Sequence, residues 1–447
     1  MNDLEWLSRL DKKLSEQQQA IAIYERYYAG EHALAYATEK FKQTFGDLFP
    51  AFADNWCQTV VDAPVERLAI DGFRCSSKAL SKKAWSTWQS NRLDAGSVLA
   101  HTEAVKDGRS YLIVQPGSPA KITVEHPSQV YVEHAAGDRR ERVAALKRWN
   151  DGAGYSYATL YFPDRIVKFK SGIGVPFTGS NLVLPPNVDL GGWELRGSDA
   201  VGGNPLGVVP VIPLYNNPTM LEDGQSDLDP AIPLNDAINK ESMDMLIASE
   251  YAAFRQRVLT GIEVPTVKDP DTGAEFPDPA LELRMSVSRL IAIEDKDVGV
   301  HEFAASDLKN YVEAVTMFLQ HLAAQTRTPP HYLLGQIVNA SGDALKAAET
   351  GLVAKVKRKQ LDFADSWEEA IGLAIGKESD TIETVWADPE YRSEGELVDG
   401  LVKLASIGVP KKALFERIAT PEQAEQWLSE QPAVEAPTTS PDVTPTA

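Results

Sequence analysis

Apolar positions recur with a helical period through the first part of the chain. Over residues 3–29 they fall near helical spacing, at Leu7, Leu10, Leu14, Ile21, Tyr24 and Tyr28. A helix with such a stripe packs one face on a core, and Gly30 is a suitable C-cap for it. A second helix is expected after Asp54, ending or kinked near Pro64, and residues 76–107 again have helical character.

The pattern changes to that of β-strands at Arg109. Five short segments are rich in β-branched and aromatic residues and are separated by turn residues: SYLIV, KITVEH, QVYVEH, AALKRW and YSYATLYF. Such segments predict strands, and we expect them to form an antiparallel sheet. Residues 171–206 are rich in Gly, Pro and Asn and are expected to be irregular.

Two long helices with a module inserted between them are predicted for the middle of the chain. Pro233 suits a first helical position, and residues 234–260 contain neither Gly nor Pro. At ~1.5 Å per residue they would form a rod of about 40 Å. Residues 262–305 are mixed and turn-rich, as in a small β-containing module. The second helix is expected to begin with Ser306 as its N-cap.

A narrow apolar seam marks the second long helix. Its positions step by 4, 3, 4 and 3 residues: Leu308, Val312, Val315, Leu319 and Leu322. That spacing is typical of a helix packed along other helices. Further helices are expected at about 342–376 and 395–407, and the Pro/Thr-rich residues 429–447 are expected to be disordered.

Composition indicates a soluble globular protein of about three domains. The chain has 447 residues, of which 43% are hydrophobic and 24% are charged, and domains average ~150 residues. Cys57 and Cys75 are the only cysteines, which suits a reducing compartment. The amino-terminal residues do not have the order of a signal peptide, and apolar runs stay short of the ~18 residues that span a bilayer. The net charge of −20 would repel DNA phosphates, although DNA could pass such a protein without being held.

Sequence motifs for catalysis, cofactors and metals are missing. There is no GxxxxGK(S/T), no GxGxxG after a strand and no HExxH. His321 and His331 are interpreted as helix-surface or packing residues. In one segment, side chains that could bind calcium through oxygen stand at alternate positions, as at the start of a calcium-binding loop: Asp223, Gln225, Asp227 and Asp229. The segment lacks the glycine that such a loop has at position 6. We therefore favour helix capping as the role of these residues. The sequence therefore predicts a non-enzymatic protein without a metal or a cofactor.

Charge is distributed unevenly along the chain. Residues 343–360 contain five Lys/Arg and two Asp/Glu, a net charge of +3. Four of the basic residues lie together, and we name them the basic cluster: Lys355, Lys357, Arg358 and Lys359. Residues 262–305 contain four Lys/Arg and ten Asp/Glu, a net charge of −6. Two interpretations of the basic cluster stay open: a solvated helix face paired with acidic neighbours, or a phosphate-facing or intersubunit ring.

The segment Tyr27–Arg74 resembles the amino-terminal signature of siphophage-type phage portal proteins. In that family a YY-x-G-x-H/N element precedes N-W/Y-x-x-x-V-V-D-x-x-x-x-R-L and then a short G-F/Y. The matching residues here are Tyr27, Tyr28, Gly30, His32, Asn55, Trp56, Val60, Val61, Asp62, Arg67, Leu68, Gly72 and Phe73. Three later segments resemble the family in the same order: SDLDPAIPLNDAINKESMDM, RTPPHYLLGQIVNASGDALKAAE and WADPEYRSEGELVDGLVKLASIGVPKKALFERI. The resemblance runs from about residue 20 to about residue 428.

This resemblance implies an α+β portal fold and a ring, usually of about a dozen subunits, at one vertex of a capsid. Double-stranded DNA would enter and leave through its axial channel. The expected parts are a mixed α/β wing (1–228), two long stem helices (229–261 and 306–327), a small α/β clip inserted between them (262–305), a tunnel loop with a return helix of the wing (328–378), a helical crown (379–428) and a disordered tail (429–447).

A tunnel loop is implied between the second stem helix and the helix that follows it. One copy from each subunit would line a constriction of the channel, through Gln336, Ile337, Val338, Asn339, Ala340 and Ser341. Small, neutral side chains suit a loop past which DNA slides, because charged contacts to phosphate bind tightly. Pro329 and Pro330 would end the stem helix, and Gly342 would permit the reversal of the chain.

The resemblance also implies partners and a location. The clip would dock the terminase large subunit and then a head-completion adaptor, with Lys268, Asp269, Asp271 and Glu275 as contact residues. The homo-oligomeric ring would contact the major capsid protein, and a scaffold where one is used, at the head–tail interface of the virion, after synthesis in the host cytoplasm and without a membrane. The alternatives are another virion structural protein, such as an adaptor or capsid subunit without a DNA channel, a carboxylate hydrolase, or a solenoid scaffold, for which no repeat is present.

Overall fold

The computed structural model describes most of the chain, in these segments: 1–32, 53–151, 155–171, 192–253, 257–260, 266–268, 273, 275–277, 290–293, 299–302, 307–335, 342–377, 382–390, 394–415, 418–419 and 421–430. Helix α1 (Asp3–Ala29) confirms the first helix predicted from the apolar stripe. Asn2 caps its amino end in a capping box with Glu5, and Gly30 ends it in the left-handed conformation, at φ 73°.

Residues 76–107 are helical as predicted, but in two pieces. After α2 (Trp56–Val65), which Pro64 ends in its last turn, the chain forms strand β1 (Ile70–Cys75) and then α3 (Lys78–Ser90) and α4 (Leu93–Asp107). Arg92, between these two helices, has a left-handed backbone with φ 55°. A residue in that conformation cannot continue a right-handed helix, so α4 starts in a new direction.

The strands predicted after Arg109 form two antiparallel sheets instead of one. The smaller sheet contains β2 (Arg109–Gln115), β3 (Lys121–Glu125) and β10 (Val211–Tyr215), in the order β10–β2–β3. The larger sheet contains β4 (Val130–Ala135), β5 (Asp138–Asn150), β6 (Ser156–Tyr161), β7 (Arg165–Ser171), β8 (Trp193–Leu195) and β9 (Val201–Gly203). The division falls at a turn that contains Pro127, a residue that cannot donate to a strand ladder.

Three apolar clusters hold these layers together. Helix α1 packs its leucines against the larger sheet, and the two sheets share a second cluster that includes Tyr111. The largest cluster joins α2, α3 and α4 to the smaller sheet and to helices from the second half of the chain. Trp88 and Trp367 meet in it with ring centroids 4.9 Å apart. Segments from both halves of the sequence therefore build one core.

The first long helix is shorter than predicted. Helix α5 spans Ile232–Ala253, whereas the end of the predicted helix forms strand β11 (Arg257–Thr260). Strand β11 pairs in parallel with β14 (Leu290–Ile293) and antiparallel with β15 (Gly299–Glu302). The absence of Gly and Pro did not ensure a helix, because β-branched residues and strand partners from later in the chain favour the extended form. The inserted module therefore begins before residue 262.

The second long helix and the elements after it lie close to their predicted positions. Helix α6 (Lys309–Thr326) packs against α5, and its N-cap is Leu308 and not Ser306, which lies outside the described residues. The later elements are α7 (Pro330–Leu334), α8 (Gly342–Ile375), β16 (Ile382–Trp386), which pairs with β1, α9 (Glu394–Ser406), α10 (Lys411–Phe415) and α11 (Pro421–Glu430). The helices predicted at 342–376 and 395–407 are confirmed to within one residue at each end. Among the helices that the structure describes, none is long and apolar enough to cross a membrane.

Candidate functional site

The candidate site is the base of the predicted tunnel loop. The loop residues themselves lie outside the described part of the chain: Gln336, Ile337, Val338, Asn339, Ala340 and Ser341. Both flanks are described. Helix α7 ends at Gly335, which is left-handed with φ 62°, and α8 begins at Gly342. The contacts of these two helices fix where the loop leaves the core and where it returns.

The carboxyl end of α6 is closed just before the loop. Arg327 is left-handed, with φ 55°, and the Thr328 amide donates to the carbonyl oxygen of Ala323 at 3.1 Å. The Lys355 ammonium, on α8, donates to the carbonyl oxygen of Thr326 at 2.8 Å. A cation at this end of a helix satisfies an orphan carbonyl and complements the helix dipole. Helix α6 is thereby joined to α8, the helix that follows the loop.

Arg67 connects both flanks of the loop to the end of α2. Its guanidinium donates to the hydroxyl oxygen of Tyr332, on α7, at 2.8 Å and lies 3.2 Å from a carboxylate oxygen of Glu349, on α8. His331 lies 3.7 Å from the same oxygen. The side chains of Arg67 and Glu349 are only 15% and 17% exposed, so solvent screens this pair less than it would a surface pair. The two ends of the loop are therefore held on one anchor.

A buried carboxylate organises the other side of the base. Asp227 contacts the ammonium of Lys355 at 2.7 Å and that of Lys359 at 2.8 Å. Asn216 and Asn217 donate to one of its oxygens, at 3.0 and 2.7 Å. Burial by itself would raise the pKa of the Asp227 carboxyl, but the two lysines outweigh burial and hold that pKa well below its ordinary value. This lysine–aspartate triad joins α8 to the segment before α5.

The basic cluster thus divides into two pairs. Lys355 and Lys359 point inward to Asp227, and the side chain of Lys359 is fully buried. Lys357 and Arg358 lie on the surface, where they pair with Glu390 at 3.0 Å and with Asp362 at 3.2 Å. Within the described residues, pairing with acidic neighbours is therefore present at all four positions, although only Lys357 and Arg358 form a solvated face.

The helix-capping interpretation of the acidic segment was wrong. The carboxylate of Asp227 pairs with lysines, that of Asp223 lies 3.4 Å from Arg139, and that of Asp229 accepts a hydrogen bond from Tyr24 at 2.6 Å. One sequence signal could have revealed Lys359. It falls within the buried stripe of α8, which consists of Leu352, Val356, Lys359, Phe363 and Trp367. A lysine on an apolar helical stripe needs a buried acidic partner.

The apolar seam of α6 changes character along the helix. Leu319 and Leu322, near the loop base, are buried in the core of the subunit. Val315 is partly buried against that core, whereas Val312 is 54% exposed. Leu308 is also partly exposed. The end of the seam nearest the inserted module therefore offers apolar surface that the subunit itself does not cover.

The inserted module presents an exposed hairpin at the predicted partner-docking residues. Strands β12 (Thr266–Lys268) and β13 (Glu275–Pro277) pair antiparallel. The ammonium of Lys268 lies 2.9 Å from a carboxylate oxygen of Glu275, and both side chains are largely exposed. Asp269 and Asp271 lie outside the described residues. A solvent-exposed ion pair of this kind contributes little to stability, which leaves its charges available to a partner.

Sequence reasoning missed a second polar cluster. Glu25, Glu103, Asp107 and His126 come from three separate segments, and their ligand atoms lie within 4.8 Å of one another. Glu103 and Asp107 are spaced to share one face of α4, which is the single local signal that could have pointed to the cluster.

The sequence matches one family of known proteins. The chain matches the sequence profile described as "Phage portal protein, SPP1 Gp6-like" over residues 7–435. It is 31% identical over 406 residues to the portal protein of Mycobacterium phage D29, with 84% of this chain and 78% of that protein covered. Identity to the portal protein of Mycobacterium phage L5 is 31% over 376 residues, with 78% and 71% covered. Among solved structures, a chain from the neck of the empty gene transfer agent particle is similar, at 13% identity and a TM-score of 0.45, with 87% of this chain and 95% of that chain covered.

Proposed function

Because the chain belongs to the SPP1 Gp6-like family of phage portal proteins, we propose that about a dozen copies form a ring at one capsid vertex. Double-stranded DNA enters through this ring during packaging and leaves through it during ejection. The observation that carries the proposal is the extent of the family match, which reaches from α1 to α11. The role is structural: the ring supplies a channel and a docking surface, and it catalyses no reaction.

The described elements can be assigned to parts of this ring. The two sheets with α1–α4 form the wing, α5 and α6 form the stem, α8 returns to the wing, and α9–α11 form the crown. Strands β11–β15 form the clip, which therefore starts near residue 257. The clip docks the terminase large subunit and then a head-completion adaptor. The wing contacts the major capsid protein, and a scaffold where one is used, in a virion assembled after synthesis in the host cytoplasm.

The charge of the subunit supports a channel through which DNA slides. Each chain carries a net charge of −20, and its repetition around a ring gives a field that repels phosphate. The proposed tunnel loop is neutral, and two lysines of the basic cluster on the helix that follows it, Lys355 and Lys359, are turned inward to Asp227. The subunit thus holds these two cations in its interior, while the Arg67 anchor fixes the loop ends.

Adding positive charge to the loop should slow DNA passage. Replacing Asn339 and Ala340 with lysine would place roughly two dozen ammonium groups around the channel of a ring of about 12 subunits, and each could form a phosphate contact. We expect translocation to slow or stall at low salt and to recover partly at higher salt. An in vitro packaging assay across a salt series measures this effect.

The matched control for the loop is the neutral double variant Asn339→Gln with Ala340→Ser. It alters the same positions without charge and should package DNA at the native rate. Electron micrographs of all three proteins should show closed rings. Native packaging rates for the lysine variant at every salt concentration would show that the loop does not face DNA, and a native chain that yields no rings would contradict the ring itself.

Removal of the clip hairpin should abolish partner docking without unfolding the subunit. Replacing residues 268–276 with a short Gly/Ser linker deletes the Lys268–Glu275 ion pair and leaves the β11–β14–β15 sheet, whose described strands do not pair with the hairpin. We expect a soluble protein with an unchanged circular dichroism spectrum that no longer co-purifies with terminase or adaptor. Unchanged co-purification with both partners would exclude the hairpin as the docking surface.

A further inference from the structure

Five charged or titratable side chains meet where α1, α4 and the turn after β3 come together. Glu25 lies on α1, Glu103, Lys106 and Asp107 lie on α4, and His126 lies in the turn. The side chain of Asp107 is 0% exposed and that of Lys106 is 4% exposed, whereas Glu25 and His126 reach the surface at 35% and 30%. The cluster is therefore buried on the side of Asp107 and Lys106 and open to solvent on the side of Glu25 and His126.

Four of the five groups form a ring of alternating charge. The Lys106 ammonium lies 2.7 Å from Glu25 and 2.6 Å from Glu103. The Nε2 atom of His126 lies 2.8 Å from the same Glu25 oxygen and 3.1 Å from the same Glu103 oxygen. Burial alone would raise the pKa of Glu103, but His126 and Lys106 lower it to about 2. Burial alone would lower the pKa of His126, but Glu103 and Glu25 raise it to about 9. Glu25 and Glu103 thus each pair with both cations.

Asp107 is the member of the cluster that these contacts leave unexplained. Neither of its carboxylate oxygens makes a hydrogen bond, although both are buried. The nearest cationic atoms are His126 Nε2, at 3.8 Å, and Lys106 Nζ, at 4.0 Å, so the carboxylate faces the cluster without contacting it closely. Burial raises the pKa of Asp107 well above its ordinary value. A buried carboxylate without hydrogen bonds is costly and calls for a physical cause.

We propose that Glu25, Glu103, Asp107 and His126 form a binding site for a divalent first-row metal ion of the Mn²⁺ or Zn²⁺ type. Three carboxylates and one imidazole are a donor set that such ions accept in proteins. Ser128 orients the imidazole from the outer side, since its hydroxyl lies 2.7 Å from His126 Nδ1 and its backbone amide donates to the same atom at 3.1 Å. Nε2 is therefore the ring nitrogen that faces the three carboxylates.

The balance of charge within this cluster favours the binding of a divalent ion. With Lys106 and a protonated His126 as the cations of the cluster, three ionised carboxylates would leave one negative charge in excess. With a divalent ion bound and His126 neutral as a ligand, Lys106 and the metal together balance the three carboxylates. Lys106 has a place to move to, because its ammonium already lies 5.3 Å from the centroid of the Tyr28 ring and cations bind favourably to that face. Lys106 therefore acts as an internal cation that the metal displaces.

Metal titration of the full chain tests this site. After treatment with EDTA and dialysis, Mn²⁺ or Zn²⁺ should bind at about one ion per chain by calorimetry. Metal at about 100 times its dissociation constant should raise the folded-to-unfolded ratio about 100-fold, which appears as a higher melting temperature. The Asp107→Asn variant should fold, because neither carboxylate oxygen makes a hydrogen bond that the substitution would break, and should bind the metal at least about tenfold more weakly.

Two further variants distinguish this site from adventitious surface binding. Glu16→Gln, on the same helix as Glu25, removes a carboxylate that is half-exposed and paired with Lys13, and it should leave the metal affinity unchanged. Lys106→Met removes the competing cation and should bind the metal more tightly than the native chain. Equal affinities for native and Asp107→Asn chains, or no binding near one ion per chain, would overturn the proposal. Neither result depends on ring formation or on DNA passage.

Discussion

The Asp227→Asn variant is expected to unfold with a free energy about 3–5 kcal/mol lower than that of the native chain. The substitution keeps the shape of the side chain but leaves the ammonium groups of Lys355 and Lys359 without the carboxylate that now contacts them at 2.7 and 2.8 Å. The Lys359 side chain is fully buried, so water cannot replace the lost partner. Denaturant unfolding followed by circular dichroism measures the difference.

The matched control is Asp229→Asn, two positions along the chain. Asp229 lies at the surface, and Tyr24 donates to it at 2.6 Å, so its loss should cost about 1 kcal/mol or less. Adding Lys359→Met to Asp227→Asn should restore part of the stability, because it removes one of the two unpaired buried charges. Equal losses for the two asparagine variants would contradict the assignment of the lysine–aspartate triad as a buried anchor.

The pH dependence of stability in the native chain and in Asp227→Asn tests whether the charge of the Asp227 carboxylate causes the difference between them. The folded-state pKa of Asp227 is held below the ordinary value of 3.8 by Lys355 and Lys359, against the opposing effect of burial. A carboxyl whose pKa is depressed in this way contributes stability above its ordinary pKa, and that contribution is lost as the pH falls towards the folded value. The stability difference between the native chain and Asp227→Asn should therefore shrink below about pH 4.

The helices were predictable from the sequence where local signals mark their ends. Helix α1 ends at Gly30 as expected, because a C-cap glycine and an apolar stripe act within one or two turns. The strands between residues 109 and 161 were predictable from side-chain type. Their division into two sheets was not, because pairing of β10 with β2 depends on a segment about a hundred residues later.

Long-range contacts also explain the remaining errors and omissions. Strand β11 was predicted to be helical, and only its partners β14 and β15 make it a strand. The partner of Lys359 was missed because Asp227 lies more than a hundred residues earlier and its neighbours suggested a capping role. Glu25, Glu103 and His126 likewise come together only in the fold. Residues that interact only through contacts between distant segments leave no local pattern in a single sequence.

The exposed end of the α6 seam is expected to form part of the contact between subunits that closes the ring. Val312→Asp should leave the subunit folded but prevent ring assembly. The Val312 side chain is 54% exposed in the subunit, so a charge there costs the isolated fold little. In a closed ring we expect neighbouring subunits to cover this apolar surface, and an aspartate would then be buried without a partner once in every interface. Mass photometry or light scattering should show monomers with a native circular dichroism spectrum.

Two controls separate assembly from folding. Gln320→Asp adds the same charge at an exposed position of α6 that lies off the seam, and it should form rings as the native chain does. Leu322→Ala acts at the buried end of the seam, where the side chain is 0% exposed. It should lower the free energy of unfolding by about 2–5 kcal/mol, because the core of each subunit loses contacts before any interface forms. If Val312→Asp assembles into native rings, this end of the seam faces solvent in the assembled protein, and the subunits contact one another through other surfaces.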